Sequence, residues 1–419
     1  MQGAFSVMKK FIFYLITYLF LFIFIFTGFE IARRIKGDRR ENTHLFDITQ
    51  KKAEYLFKPN SVIRCVTPER ELEYTAGINA QGYRGRDFSV PKPEGNLRIF
   101  VIGDSFTFGV GARDDETIPY LLEQALKKKY PNIDVINAGI GHTSPITHFI
   151  NIKNIHLKYE PDVVVLLFDM TDLWDDWHSE RSAVRNTDGQ IEKFDITYIY
   201  GKRSWWRTCL RTSAACRFFN NKIVRTFKKI QIIGIKKYVV AWLRGIKAKA
   251  LIANQTSRES YDAQTEYDGL LLMRGREKKE LIDYHWKRTA GYLNEIRDLL
   301  AQNGIGFVLG VYPHGIYVGP DQWSEGRLAW GFAAGCRYTD LYPFELLTQY
   351  ARDNDVPFIN MLDDFLDAPP DKYFFDWDGH LTPAGNRLVV KSLVDSGILN
   401  RALDKHRLAA ELSSRANEN

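Results

Sequence analysis

Four short stretches hold side chains that together could make and break an ester bond. "GDSFTFGVG" presents Ser105 directly after an apolar run, and "NAGIGHTS" offers glycine amides at Gly139 and Gly141. "FDMTDLWDD" contributes Thr171 beside Asp172, Asp175 and Asp176, and "DWDGHLTPAGN" places His380 after the carboxylates Asp376 and Asp378. A serine hydroxyl is a weak nucleophile until an imidazole takes its proton, and the imidazole needs a carboxylate to fix its tautomer. The negative oxygen that forms during attack needs hydrogen-bond donors. Read singly, each stretch has a plainer explanation. Ser105 could cap a helix, the glycines could only form turns, and His380 could be a satisfied loop residue. His142 reads as a pocket wall and His314, in "YPHG", as structural. Asp172, Asp175 and Asp176 could suggest a metal, but a solvated loop explains them better, and no metal or cofactor is expected.

What would bring these stretches together is a parallel sheet. Residues 98–102, 133–137, 162–168, 306–312 and 356–360 are short, predominantly apolar runs, and helical patterns alternate with them. Such strands, apolar on both faces, imply a parallel sheet covered by helices on either side. Ligands of open α/β sheets sit at the carboxyl ends of the strands, where all four stretches fall. The last helix begins at Thr382-Pro383, an N-cap followed by proline at the first helical position.

Taken in order, "GDSFTFGVG", "NAGIGHTS" and "DGHLTPAGN" resemble the GDSL/SGNH family of serine esterases and acyltransferases. The lead-in "INAQGYRGRDF" resembles that family's membrane-anchored bacterial branch. The likeness spans roughly residues 75–172 and 274–400. It implies a three-layer α/β/α, flavodoxin-like sandwich with Ser105 as nucleophile, His380 as general base and Asp378 as the orienting carboxylate, Asp376 being the alternative. It also implies an oxyanion site made by the Ser105 amide, the Gly141 amide (or that of Gly139) and the side chain at 171. Two positions depart from the family pattern. Thr171 stands where the family has asparagine, and Trp377 stands three before the histidine, where its hydrolases commonly carry the aspartate.

Outside the likeness lie two further segments. Residues 11–29, "FIFYLITYLFLFIFIFTGF", are almost wholly apolar and about as long as a bilayer-spanning helix. No small-residue cleavage site follows, so an uncleaved transmembrane anchor is expected. Lys and Arg counts on its flanks put the following domain in the cytoplasm. The resemblance to anchored envelope enzymes points instead to the outer face of a bacterial inner membrane, which is the preferred reading. Residues 201–250 hold 14 Lys and Arg and no Asp or Glu, within a chain of net charge +6. They belong to a basic, aromatic-rich insertion over 175–272, far longer than an ordinary connection, in which 225–253 could lie on an anionic membrane surface. Nothing resembles a nucleic-acid-binding module. Of the four cysteines, Cys209 and Cys216 could pair in an oxidising compartment, though spacing does not decide it.

The resulting organisation is a flank over 1–10, the anchor over 11–29 and a lead-in over 30–95. The core follows in two parts, 96–174 and 273–404, around the insertion, with a polar, frayed tail over 405–419. The expected function is an esterase acting on acyl, chiefly acetyl, esters. Transfer of the acyl group to an envelope polysaccharide is the alternative, and a retired glycan-binding module is a second one.

Overall fold

The computed structural model describes residues 2–35, 56–66, 71–194, 209, 213, 215–216 and 268–417. Its centre is a five-stranded parallel sheet in the order β4-β3-β5-β8-β9. The strands are β3 (Leu97–Gly103), β4 (Ile133–Gly139), β5 (Val163–Phe168), β8 (Gly306–Val311) and β9 (Phe358–Asn360). Every residue of β4 and β5 is buried, which is why apolar residues occupy both faces rather than alternating, Asp134 and Asn137 of β4 being buried polar exceptions.

Helices cover the sheet in two groups. Ile118–Leu126 packs on β4 and against Pro383–Asp395. Lys279–Gln302 packs on β8 and against Pro145–Asn154 and Asp172–Ser182. A mixed α/β chain with this sheet fits the flavodoxin-like sandwich. The connection from β3 leads to β4 on one side, and the chain then returns to β5 on the other. That reversal opens a crevice at the carboxyl end of β3, the standard position for a ligand in such sheets.

The lead-in is not a passive linker. β1 (Ser61–Val66) and β2 (Glu73–Ile78) form an antiparallel hairpin, and single bridges from Ile78 to Arg84 and from Arg84 to Asn137 carry it to the edge of β4. Arg84 is 3% exposed. It donates to the carbonyls of Phe108 at 2.9 Å, Gly109 at 2.8 Å and Ala112 at 2.7 Å, and to Asp114 Oδ1 at 2.8 Å. One buried guanidinium thereby ties down the turn that follows Ser105.

Two sequence expectations need correction. Asp172, Asp175 and Asp176 do not lie in a solvated loop. They sit on the helix Asp172–Ser182 and are buried against the helices beside it. Leu173 and Trp177, four apart, turn that helix inward and take the carboxylates with them. The tail is not frayed from 405, because the helix Ile398–Asn417 continues through it, seated by Leu399 and Leu403 in the core.

The apolar N-terminal segment forms the helix Gln2–Ile35, with Phe13, Tyr18, Phe20, Phe22, Phe24 and other large apolar side chains exposed. Among the described residues no helix is long and apolar enough to cross a membrane. Of the insertion, a small hairpin of β6 (Ala183–Arg185) and β7 (Ile191–Phe194) is described. So is a disulfide between Cys209 and Cys216. Glu30 Oε2 accepts the Ser213 hydroxyl and the Ala215 amide, both at 2.8 Å, joining this turn to the N-terminal helix. The basic stretch 225–253 lies outside the described residues.

Candidate active site

At the carboxyl end of β3 the chain turns abruptly into the four-residue helix Ser105–Phe108. Asp104 is its cap, with Oδ1 accepting the Phe106 amide at 2.8 Å. Ser105 is therefore the first helical residue and not the cap, and its hydroxyl, 3.3 Å from Asp104 Oδ2, is not spent on capping the helix. Gly139 makes this possible from the neighbouring strand. A Cβ there would stand 2.2 Å from the Phe108 amide nitrogen, so only glycine lets the short helix settle on β4.

His380 reaches Ser105 from the other end of the sequence. Its Nε2 lies 2.7 Å from Ser105 Oγ, and its Nδ1 is hydrogen-bonded to Asp378 Oδ1. Both residues sit at the tip of a hairpin closed by the Phe375 amide to the His380 carbonyl at 2.9 Å and the Thr382 amide to the Tyr373 carbonyl at 2.9 Å. Between them Gly379 has φ +89°, and a Cβ there would meet the Trp323 indole at 2.7 Å. The left-handed turn lets a carboxylate only two residues away reach back to the imidazole. Asp376 turns elsewhere. Its Oδ1 accepts the Ser324 hydroxyl at 2.7 Å and the Lys372 ammonium at 2.9 Å.

The cleft over this group has a volume of about 250 Å³ and is walled by His142, Trp174, Trp323 and Trp330, with Thr171 and His314 also on it. Gly141 precedes the wall residue His142, and its amide has no acceptor among the described residues. The Ser105 amide, first in its helix, has no intrahelical acceptor either. The Thr171 hydroxyl is directed to Asp175 Oδ2 at 3.1 Å. Gly139 does not line the cleft.

At and beneath the cleft lies a group of buried carboxylates, Asp104, Asp169 and the three expected in a solvated loop, Asp172, Asp175 and Asp176. Burial, with the Asp169 charge adding to it, pushes Asp104 up to about 7. Burial also raises Asp176 to about 6 and holds Asp172 and Asp175 well above the usual carboxylate range. Asp169 goes the other way. Burial opposes its charge, but His314 Nε2 at 2.8 Å and the Thr171 amide at 2.8 Å hold it at about 2, and the Tyr312 hydroxyl also donates to it at 2.9 Å. Burial disfavours charge on His380 too, but the carboxylates of Asp378, Asp104 and Asp169 outweigh it and raise its pKa. Among the described residues no group of three or more His, Cys, Asp or Glu is placed to hold a metal ion.

No protein-family model matches the chain, and no curated protein is significantly similar to it. Solved structures similar to it include an acetyl xylan esterase, 14% identical with a TM-score of 0.33, covering 72% of this chain and 99% of that one. Another is a catalytic mutant of an acetylxylan esterase from Geobacillus stearothermophilus, 13% identical with a TM-score of 0.32, covering 73% of this chain and 95% of that one. A third is a two-domain esterase active on acetylated mannans, 15% identical with a TM-score of 0.33, covering 74% of this chain. The chain spans 50% of that third protein. With identities and TM-scores this low, the reading of function rests on the site's own geometry.

Proposed function

We propose that this protein is a serine esterase of the GDSL/SGNH type that cleaves acyl esters, chiefly acetyl esters on a glycan, through a covalent acyl-enzyme. The observation that carries the reading is the continuous chain from Asp378 through His380 to the Ser105 hydroxyl, at the crevice of the sheet. His380 Nε2 takes the hydroxyl proton as Ser105 Oγ attacks the ester carbonyl. The resulting oxyanion is met by the Ser105 and Gly141 amides, and the Thr171 hydroxyl joins them by turning from Asp175 Oδ2, to which it donates in the resting site. His380 then gives its proton to the departing sugar alcohol, leaving the acyl group on Ser105. Water, deprotonated by the same imidazole, adds to that ester; the bond to Ser105 Oγ then breaks, His380 returns the proton to the serine, and the acid is released. Asp378 keeps Nδ1 protonated throughout and balances the transient imidazolium. A cleft of this volume, with three tryptophans and a histidine on its walls, suits a small acyl group carried on a sugar ring.

The reading extends to location. Residues 11–29 anchor the protein in a bacterial inner membrane with the domain on the outer face. The Cys209–Cys216 disulfide supports that side, because such bonds persist in oxidising compartments. The basic stretch 225–253 is a second membrane contact.

The test uses full-length protein in detergent beside its S105A variant. Release of p-nitrophenol from its acetate ester is expected to fall at least ~10³-fold in the variant, and the intact mass of the wild type should show a trapped acetyl group. Adding a sugar oligomer and finding acetylated sugar would move the reading to an O-acyltransferase, which shares every step up to the acyl-enzyme. Equal rates in the two proteins, with no acyl-enzyme mass, would leave a glycan-binding module.

A further inference from the structure

The hairpin 373–382 is gripped on two sides. On one side Gln322 Oε1 accepts the Tyr373 and Phe374 amides at 2.9 and 3.2 Å. The Glu325 and Gly326 amides donate to the Asp376 carbonyl at 3.0 and 2.8 Å. On the other side a single carboxylate, from outside the sandwich, reaches the hairpin tip. Glu71 lies just before β2, and its oxygens accept three successive amides. The Asp376 amide donates at 2.5 Å, the Trp377 amide at 3.0 Å and the Asp378 amide at 2.9 Å.

Successive amides in a turn form a concavity suited to an anion. Here that anion belongs to the chain itself, and neighbouring Leu72, 1% exposed, roots it in the core. Glu71 does not line the cleft. What it touches is the backbone of the carboxylate that orients His380. Asp378 reaches Nδ1 only by folding back over Gly379, and the direction of its side chain follows the torsions of a segment whose amide Glu71 holds.

We propose that Glu71 is a positioning residue, whose carboxylate fixes the 376–378 backbone so that Asp378 stays on His380 Nδ1. The proposal rests on the esterase reading for its consequence in turnover, but its structural content is independent of it. The lead-in hairpin thereby becomes a working part of the site rather than an attachment to it.

The experiment compares E71A and E71Q, each in the wild-type and the D378N background, in full-length protein in detergent. Loss of the clamp should lower kcat about 10- to 100-fold with KM changed less than about twofold, the scale expected for a displacement of around 1 Å. E71Q, which keeps one acceptor oxygen, should retain more activity than E71A. In the D378N background E71A should change kcat less than about twofold, since the group it positions is already gone. A second readout needs no turnover. The His380 imidazole, followed by NMR, should titrate at lower pH in E71A than in wild type, moving towards D378N, because Asp378 raises its pKa. Asp104 and Asp169 still face the ring in every variant.

Unchanged kcat and an unchanged His380 titration in E71A would overturn the proposal. So would an equal fold-loss in both backgrounds, which would mean that Glu71 acts by some route other than Asp378. If S105A is as active as wild type, the esterase reading fails, and the titration alone decides on Glu71. Thermal unfolding confirms that each variant is folded, and should E71A fail that check, E71Q carries the same comparison.

Discussion

Two aspartate–histidine pairs pack against the ring of Phe106, with His380 centred 4.5 Å from it and His314 5.0 Å. In composition they are the same pair, yet they are used in opposite ways. Asp378 and His380 keep side-chain exposures of 23% and 20%, and the far nitrogen of the imidazole meets a hydroxyl at the cleft. Asp169 is fully buried, His314 almost so, and the carboxylate is also bonded by Tyr312 and the Thr171 amide. A carboxylate surrounded by donors stays ionised even when burial opposes it. One pair is therefore equipped to pass a proton back and forth, and the other holds a fixed charge beneath the site. What separates them is the surroundings of each nitrogen and oxygen, not the residue types.

The difference can be broken from either side. The largest effect is expected from D378N, which should lower kcat by about 10²- to 10⁴-fold by leaving His380 in the wrong tautomer. The pH profile sharpens this. His380 acts as a base only when neutral, so kcat/KM rises as pH passes its pKa, which Asp378 places above the ordinary value near 6.5. D378N should move that inflection to lower pH, and an unmoved inflection would argue against the pair as drawn.

D169N should act on stability more than on turnover. It removes a buried charge held by His314, Tyr312 and the Thr171 amide, and a cost of about 3–5 kcal/mol is expected. Chemical denaturation would measure it, and a loss confined to kcat with unaltered stability would contradict the contrast.

The smallest effect concerns Asp176, whose Oδ1 accepts the Ile146 amide at 2.9 Å. Its folded pKa, about 6, lies above an unfolded value of about 3.9. Between those values the folded state binds more protons than the unfolded one, so stability falls as pH rises through that window and is level above it. D176N should remove about 1–3 kcal/mol of that fall, read from denaturation at pH 4 and pH 7.

Much of this arrangement was legible because burial on both faces writes a simple pattern. β5 and β8 are unbroken apolar runs and β3 and β4 largely apolar ones, and Thr382 accepts the Gly385 amide at 3.2 Å, as a cap before proline should. Ser105, His380 and Asp378 stood out because their types fit one chemistry and each follows a predicted strand. The carboxylates of 172–176 were misread because acidic residues normally mark solvent, and the apolar positions Leu173 and Trp177 at helical spacing were the overlooked signal. Glu71 left no signal at all. Its partners lie more than 300 residues away, and no local pattern encodes a bond to backbone. Arg84 is intermediate, since "GYRGR" marks the place but not the three carbonyls it reaches.

The bond between Ser105 and His380 joins residues 275 apart in the chain. The serine, its capping aspartate and the first three sheet strands are complete in sequence long before the imidazole leaves the ribosome. Until the hairpin 373–382 docks, Ser105 is an ordinary alcohol. The pair is thus completed only near the end of synthesis, when little more than the helices Pro383–Asp395 and Ile398–Asn417 remains to be made.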